Sequence, residues 1–198
     1  MISVIAFDYG GVIELSGPKG IKEIMETLGI KNEQWVEVYY SLNHLTNVNN
    51  TPWIDVVLLT AQKLGASPDQ LVTFKELLIK NSANKWLNTE LIETINGLRG
   101  KYKIALISNY SASLRQKLID HGIIELFDEI IISEEAGFQK PEPEIFMYAC
   151  EKLGIPINEL LFIDDMPRSL ENANIIGYTP ILYVNNQKLS DDLSILLK

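Results

Sequence analysis

Three carboxylates, a hydroxyl, an amide and an ammonium stand at punctuated points along this chain of 198 residues. Asp8 closes the apolar run 2–7 and leads into Tyr9, Gly10 and Gly11. Ser108 and Asn109 close the run KIALI, Lys140 lies within GFQKPEP, and Asp164 and Asp165 close LLFI. If those runs are parallel strands, the polar groups gather at their carboxyl ends, where open α/β sheets bind ligands. Acids concentrated there serve either solubility or a cation. Each residue also has a plainer reading. Asp8 can cap a turn, Ser108 or Asn109 can cap the next helix, Asp165 can be an N-cap ahead of Pro167, and Lys140 can be a surface lysine. Singly these readings are at least as good as the chemical ones. The order Asp, Ser, Lys, Asp-Asp on successive elements makes coincidence a poor account of all of them together.

The elements that must position these groups follow from periodicity. Residues 2–7, 103–107, 129–132, 160–163 and 179–183 read as buried strands, and helices are expected over 89–99, 111–121, 143–153, near 167–176 and at the C-terminal end. Strands alternating with helices specify a parallel sheet covered on both faces. Between about residues 18 and 86 the chain reads as helix after helix. Ile21, Ile24, Met25 and Leu28 share a face that stops at Gly29, and Trp35, Val38, Tyr39 and Leu42 repeat the spacing. Thr51-Pro52 places Pro at a first helical position ahead of Ile54, Val57, Leu58 and Ala61, and Ser67-Pro68-Asp69-Gln70 is a capping box ahead of Leu71, Phe74, Leu77 and Leu78. The expected fold is therefore α/β, a Rossmann-like three-layer parallel sheet core made of residues 1–15 and 89–198, with an all-helical cap inserted at 16–88.

Charge divides the same way. The insert holds seven Lys and seven acids with no Arg, which leaves 10 basic and 19 acidic residues in the rest. A net charge of −9 would repel nucleic acid and anionic membranes. One Cys excludes an internal disulfide framework, no apolar run is long enough to span a membrane, and the N-terminal residues lack the basic flank of a signal peptide. The expectation is a cytoplasmic enzyme or binding domain, monomeric or a homodimer. Cys150 sits among Phe146, Met147 and Leu153 and reads as core, His121-Gly122 as a helix C-terminus, and Trp35, Trp53 and Trp86 as packing, with Tyr39, Tyr40 or Trp53 as candidates to face a substrate. No dinucleotide or P-loop glycine motif is present.

The segments VIAFDYGGV, ALISN, GFQKPEPEIF and LLFIDD resemble the four motifs of the haloacid dehalogenase-like superfamily, in the group with a small helical cap after the first motif. The third and fourth segments are similar to those of the epoxide-hydrolase N-terminal phosphatase branch. The resemblance implies a phosphomonoester hydrolase acting on a small phosphorylated metabolite, with Asp8 as nucleophile through an aspartyl-phosphate. It implies Mg²⁺ held by Asp8, the Gly10 carbonyl and Asp165, with Asp164 in support, either member of that pair being the direct ligand. It further implies that Lys140 stabilises charge, that Ser108 and Asn109 orient the phosphoryl group, and that the turn of Tyr9, Gly10 and Gly11 presents backbone amides to it.

One position departs from the pattern. Most phosphatases of this superfamily carry a second Asp two residues after the nucleophile, which protonates the leaving oxygen and then activates water. Here that residue is Gly10. Slow turnover with a preference for acyl or aryl phosphates is the expectation, and a phospho-ligand-binding protein of the same fold is the alternative. A 2-haloacid dehalogenase fits less well, because the insert has no Arg to hold a departing halide.

Overall fold

Every residue from Val4 to Phe7 is buried, as a strand covered on both faces requires. The computed structural model describes residues 1–18 and 20–197. In chain order its elements are β1 (Val4–Phe7), β2 (Glu14–Ser16), α1 (Ile21–Leu28), α2 (Asn32–Leu42), α3 (His44–Asn47), α4 (Trp53–Lys63), α5 (Pro68–Ser82), β3 (Lys85–Leu87), α6 (Thr89–Leu98), β4 (Lys103–Ser108), α7 (Ser113–Asp120), β5 (Glu129–Ile132), α8 (Ser133–Ala136), α9 (Pro143–Leu153), β6 (Leu160–Asp164), α10 (Ala173–Ile176), β7 (Thr179–Leu182) and α11 (Asn186–Leu196). They form two units, Met1–Leu15 with Leu87–Lys198, and Ser16–Trp86. The strands β2 and β3, at the two crossings between the units, pair with each other.

The first unit is a five-stranded parallel sheet in the order β5-β4-β1-β6-β7. Strand alternation sends Ile5, Phe7, Ile104, Leu106 and Ile163 to one face, against Leu91 and Ile95 of α6, Leu114 and Leu118 of α7, and Leu189 and Leu193 of α11. Val4, Ala6, Ala105, Ile107 and Phe162 meet Ile145, Phe146, Ala149 and Cys150 of α9 on the other. Each of the larger apolar side chains so buried contributes about 1.5–3 kcal/mol, which makes these two layers the main source of the unit's stability. Cys150 belongs to this core, and burial pushes its thiol up to about 11. Register then fixes the site. Phe7 pairs with both Leu106 and Ile163, so the next residue of β1, Asp8, is brought level with the ends of β4 and β6.

The second unit has its own apolar centre, formed by Ile24, Trp35, Val57, Ala61, Phe74 and Leu78, with Tyr39 and Trp53 packed against it. Trp86 stays half exposed. The α1 helix ends at Gly29 in the left-handed conformation, and Ser67 and Gln70 exchange the two bonds of a capping box. Pro52 is the N-cap of α4, one residue earlier than its expected place at the first helical position. The short α3, β2 and β3 carry too few residues to show a period and were not expected. The helix expected near 167–176 is instead a 3-10 turn over Pro167–Leu170 followed by α10. Asn172 separates them, taking the cap position of α10 while its Nδ2 donates to the Pro141 carbonyl. Among the described residues no helix is long and apolar enough to cross a membrane.

Candidate active site

Strand β1 hands its last backbone bond to β6, with the Asp8 N–H donating to the Ile163 carbonyl at 2.9 Å. The Asp8 side chain is thus set at the edge of the sheet, only 8% exposed. Lys140 reaches it from the loop after α8. The amide of Asn109 clamps that loop, Nδ2 donating to the Lys140 carbonyl at 3.0 Å and Oδ1 accepting the Lys140 N–H at 2.8 Å. Far from being a surface lysine, Lys140 is 4% exposed, with Nζ 2.9 Å from Asp8 Oδ1 and 2.5 Å from Asp164 Oδ2. Asp164 is wholly buried and uses both oxygens, since Oδ1 accepts the Met166 N–H at 2.8 Å. Ser108 is buried at the end of β4.

Burial alone would depress the Lys140 ammonium, but Asp164 and Asp8 more than offset this and hold its pKa above the usual lysine range. Burial and the neighbouring Asp8 raise the Asp164 carboxyl, against the pull of Lys140. Two carboxylates therefore share one ammonium. Removing a partner from such a buried group leaves uncompensated charge, at a cost of about 3–5 kcal/mol. Lys140→Met should lower Tm by on the order of 10 °C in metal-free buffer, and the loss should shrink as pH falls and the stranded acids take up protons. A metal-free Tm equal to that of the wild type would show that the ammonium carries no such load.

The turn after Asp8 is built differently on its two sides. Tyr9 is fully buried, and its hydroxyl donates to Glu14 Oε1 at 3.1 Å. Burial, then Glu14, raises the Tyr9 hydroxyl far above its ordinary pKa. Glu14 is itself buried, 2.5 Å from Lys117 Nζ. The backbone of Glu14 braces the turn, its N–H donating to the Tyr9 carbonyl and its carbonyl accepting from the Gly11 N–H, each at 2.8 Å. Tyr9 thus offers the site its main chain only. Gly11 has φ +84, and a Cβ there would come within 2.3 Å of Asp165 Oδ2, so glycine is required on both counts. Gly10 is the opposite case. A Cβ there would meet nothing within 4 Å.

One oxygen from each of Asp8, Asp164 and Asp165 lies within 4.8 Å of the others. Asp8 Oδ1 is buried and faces the Lys140 ammonium at 2.9 Å. An all-oxygen donor set of three clustered carboxylates, two of them buried, fits a hard divalent cation. Sequence reasoning brought Asp8, Gly10, Gly11, Ser108, Asn109, Lys140, Asp164 and Asp165 to one edge, and the structure gathers them there. It places the side chain of Asn109 on the Lys140 backbone rather than on open space. The sequence reading weighed Glu14 only as a formal substitute for the missing acid at Gly10, without its partner Lys117, and passed over residues 185–187 after β7. The strand-end rule, applied to the last strand as to the others, marks that second set.

A family model described as haloacid dehalogenase-like hydrolase matches residues 2–171. A glyceraldehyde 3-phosphate phosphatase of Methanopyrus kandleri is 30% identical over 129 residues, 62% of this chain and 55% of that protein. The chain therefore spans about half the length of that curated relative. A D-ribitol-5-phosphate phosphatase of Bacteroides thetaiotaomicron is 23% identical over 211 residues, 100% of this chain and 99% of that protein. Among solved structures, a HAD-family enzyme of Bacteroides thetaiotaomicron in complex with magnesium and inorganic phosphate shares the fold, with a TM-score of 0.61 at 20% identity, covering 96% of this chain and 99% of its own.

Proposed function

This chain belongs to the haloacid dehalogenase-like hydrolases, and we propose that it hydrolyses phosphomonoesters of small metabolites through an aspartyl-phosphate on Asp8. The observation that carries this reading is the buried Lys140 shared by Asp8 and Asp164, with Asp165 alongside. The names of the archaeal and bacterial relatives, both phosphatases, support it.

Asp8 attacks phosphorus, and the bond from phosphorus to the leaving oxygen breaks with its electron pair on that oxygen. Water then attacks the phosphorus of the aspartyl-phosphate, releasing inorganic phosphate and restoring the carboxylate. Lys140 holds positive charge beside the nucleophile without being consumed. The Ser108 hydroxyl and the main-chain amides of Asn109 and Gly10 orient the phosphoryl oxygens, while the Gly11 N–H is held by the Glu14 carbonyl. Asp8, the Gly10 carbonyl and Asp165 would hold Mg²⁺, which supplies charge that offsets repulsion between Asp8 and a phosphate dianion. Both oxygens of Asp164 are engaged, by Lys140 and Met166, which suits it to a supporting part in that site.

The test is release of phosphate from acetyl phosphate. Excess EDTA should abolish it and added Mg²⁺ should restore it, whereas full activity in EDTA overturns the metal assignment. Gly10 favours a second reading, a phospho-ligand-binding protein with little turnover. Stabilisation by phosphorylated metabolites in a thermal-shift screen, with no phosphate released from any of them, would select that reading.

A further inference from the structure

Within the sheet unit a cleft of about 720 Å³ opens beside Asp165 and Gly11, in the size range of small-molecule sites. Its walls include Glu90, Tyr183 and the stretch 184–187. Asp165 lines this cleft and also belongs to the carboxylate cluster with Asp8, so whatever is esterified to a phosphate at Asp8 comes within reach of it.

The floor of the cleft is fixed by a polar network. Asn88 Nδ2 donates to the Tyr183 hydroxyl at 2.8 Å, and that hydroxyl donates to Asn186 Oδ1 at 2.7 Å. Asn186 Nδ2 donates to Asn88 Oδ1 and to Glu90 Oε2, both at 2.9 Å. These bonds set the direction in which Glu90 and Asn186 present their remaining polar atoms. Asn185 Oδ1 accepts the Lys188 N–H at 2.8 Å, and Gln187 Nε2 donates to Asp191 Oδ1 at 3.0 Å. Such pre-ordering lowers the cost of binding.

The chemistry of the walls is selective. Among the described residues that line it, Glu90 and Asp165 are the charged ones, and none is a Lys, Arg or His that would accept a second anionic group. The one aromatic residue, Tyr183, is 8% exposed, so no open ring face awaits a nucleobase. Carboxylate and amide groups suit hydroxyls, which both donate and accept.

Gly10 adds an independent constraint. No side chain at that position moves a proton to the leaving oxygen, and the nearest formal substitutes, Tyr9 and Glu14, are buried and bonded to each other. The leaving group must then depart with little protonation. Among hydroxyl-rich, uncharged groups, the anomeric oxygen of a sugar is the one made acidic by an adjoining ring oxygen. We infer that the cleft receives the sugar of an aldose 1-phosphate, a phosphate ester on the anomeric carbon, and that this is the preferred substrate class. The inference rests on the phosphatase reading above. In the step itself Asp8 bonds to phosphorus, the bond from phosphorus to the anomeric oxygen breaks, and that oxygen takes its proton from water.

Glucose 1-phosphate and glucose 6-phosphate separate the two constraints, since they carry the same sugar on oxygens of different acidity. With Mg²⁺, kcat/KM should favour the 1-phosphate by at least about tenfold over the 6-phosphate and over a nucleoside 5′-monophosphate. Gln187→Leu and Glu90→Gln should each raise KM for glucose 1-phosphate about tenfold, the loss of one hydrogen bond, while acetyl phosphate, which has no hydroxyls to place in the cleft, is turned over as before. Both variants are at the surface, and the acetyl phosphate rate reports that they fold. Equal kcat/KM for the two glucose phosphates overturns the inference, as does a KM unmoved in both variants. Turnover of acetyl phosphate in the face of either result leaves the phosphatase reading standing; no turnover of any phosphate overturns both.

Discussion

Asp8→Asn should lower phosphate release by on the order of 10⁵-fold while leaving the protein folded and no less stable. The size of the loss follows from the role, since removing a nucleophile costs a hydrolase about that much. The stability half of the expectation comes from the surroundings. Asp8 is one of the groups that raise the Asp164 carboxyl, a like charge held close in a buried place. An amide of the same shape removes that repulsion and leaves the Lys140–Asp164 pair intact. In metal-free buffer Tm should therefore hold or rise, at about 2–4 °C per kcal/mol recovered, whereas Lys140→Met should lower it. Opposite signs at two residues 2.9 Å apart distinguish a charge-balanced site from general damage to the core. Asp8→Asn retaining more than about 1% of wild-type kcat would place the nucleophile elsewhere.

How much of this was legible in the sequence depends on the length scale of each signal. Runs such as KIALI and LLFI announce strands because burial on both faces demands continuous apolar residues, and the polar residue that ends each run marks the sheet edge. That is why Asp8, Ser108 and Asp164 could be placed together from spacing alone. The burial of Lys140 was not legible. It depends on the Asn109 clamp 31 residues away, and nothing local distinguishes such a lysine from a solvated one. The same holds for Asn109, where an amide that looks available for a ligand is occupied by backbone. Glu14 hides for a related reason, since a buried glutamate is recognisable only through its partners, and Lys117 is more than a hundred residues distant. Residues 185–187 were within reach of the strand-end rule, but amides after an edge strand read as an ordinary helix cap, which Asn185 also is.

Gly10→Asp should speed hydrolysis of glucose 6-phosphate by about 10²- to 10⁴-fold, the usual worth of a positioned acid/base, and change acetyl phosphate turnover far less. The structure permits the substitution, because a Cβ at Gly10 meets nothing within 4 Å and its backbone is not in the left-handed region that bars side chains at Gly11. A new carboxyl there would enter open space two residues from the nucleophile, within reach of a proton transfer at the leaving oxygen. Poor leaving groups gain most, since their oxygen carries the most charge as the bond to phosphorus breaks, so the ratio of 1-phosphate to 6-phosphate turnover should collapse towards one. The same carboxyl should help the second step by drawing a proton from water. In the wild-type protein that step lacks a base, and phosphorylated Asp8 should accumulate, seen as a burst of the leaving group from an aryl phosphate ahead of steady turnover. The added negative charge beside Asp8, Asp164 and Asp165 should lower Tm in metal-free buffer, and Mg²⁺ should restore it, because the substitution adds a fourth carboxylate to the cluster. Rapid hydrolysis of glucose 6-phosphate by the wild-type protein, with no gain in Gly10→Asp, would show that another group supplies the proton and would remove the reason for a leaving-group preference.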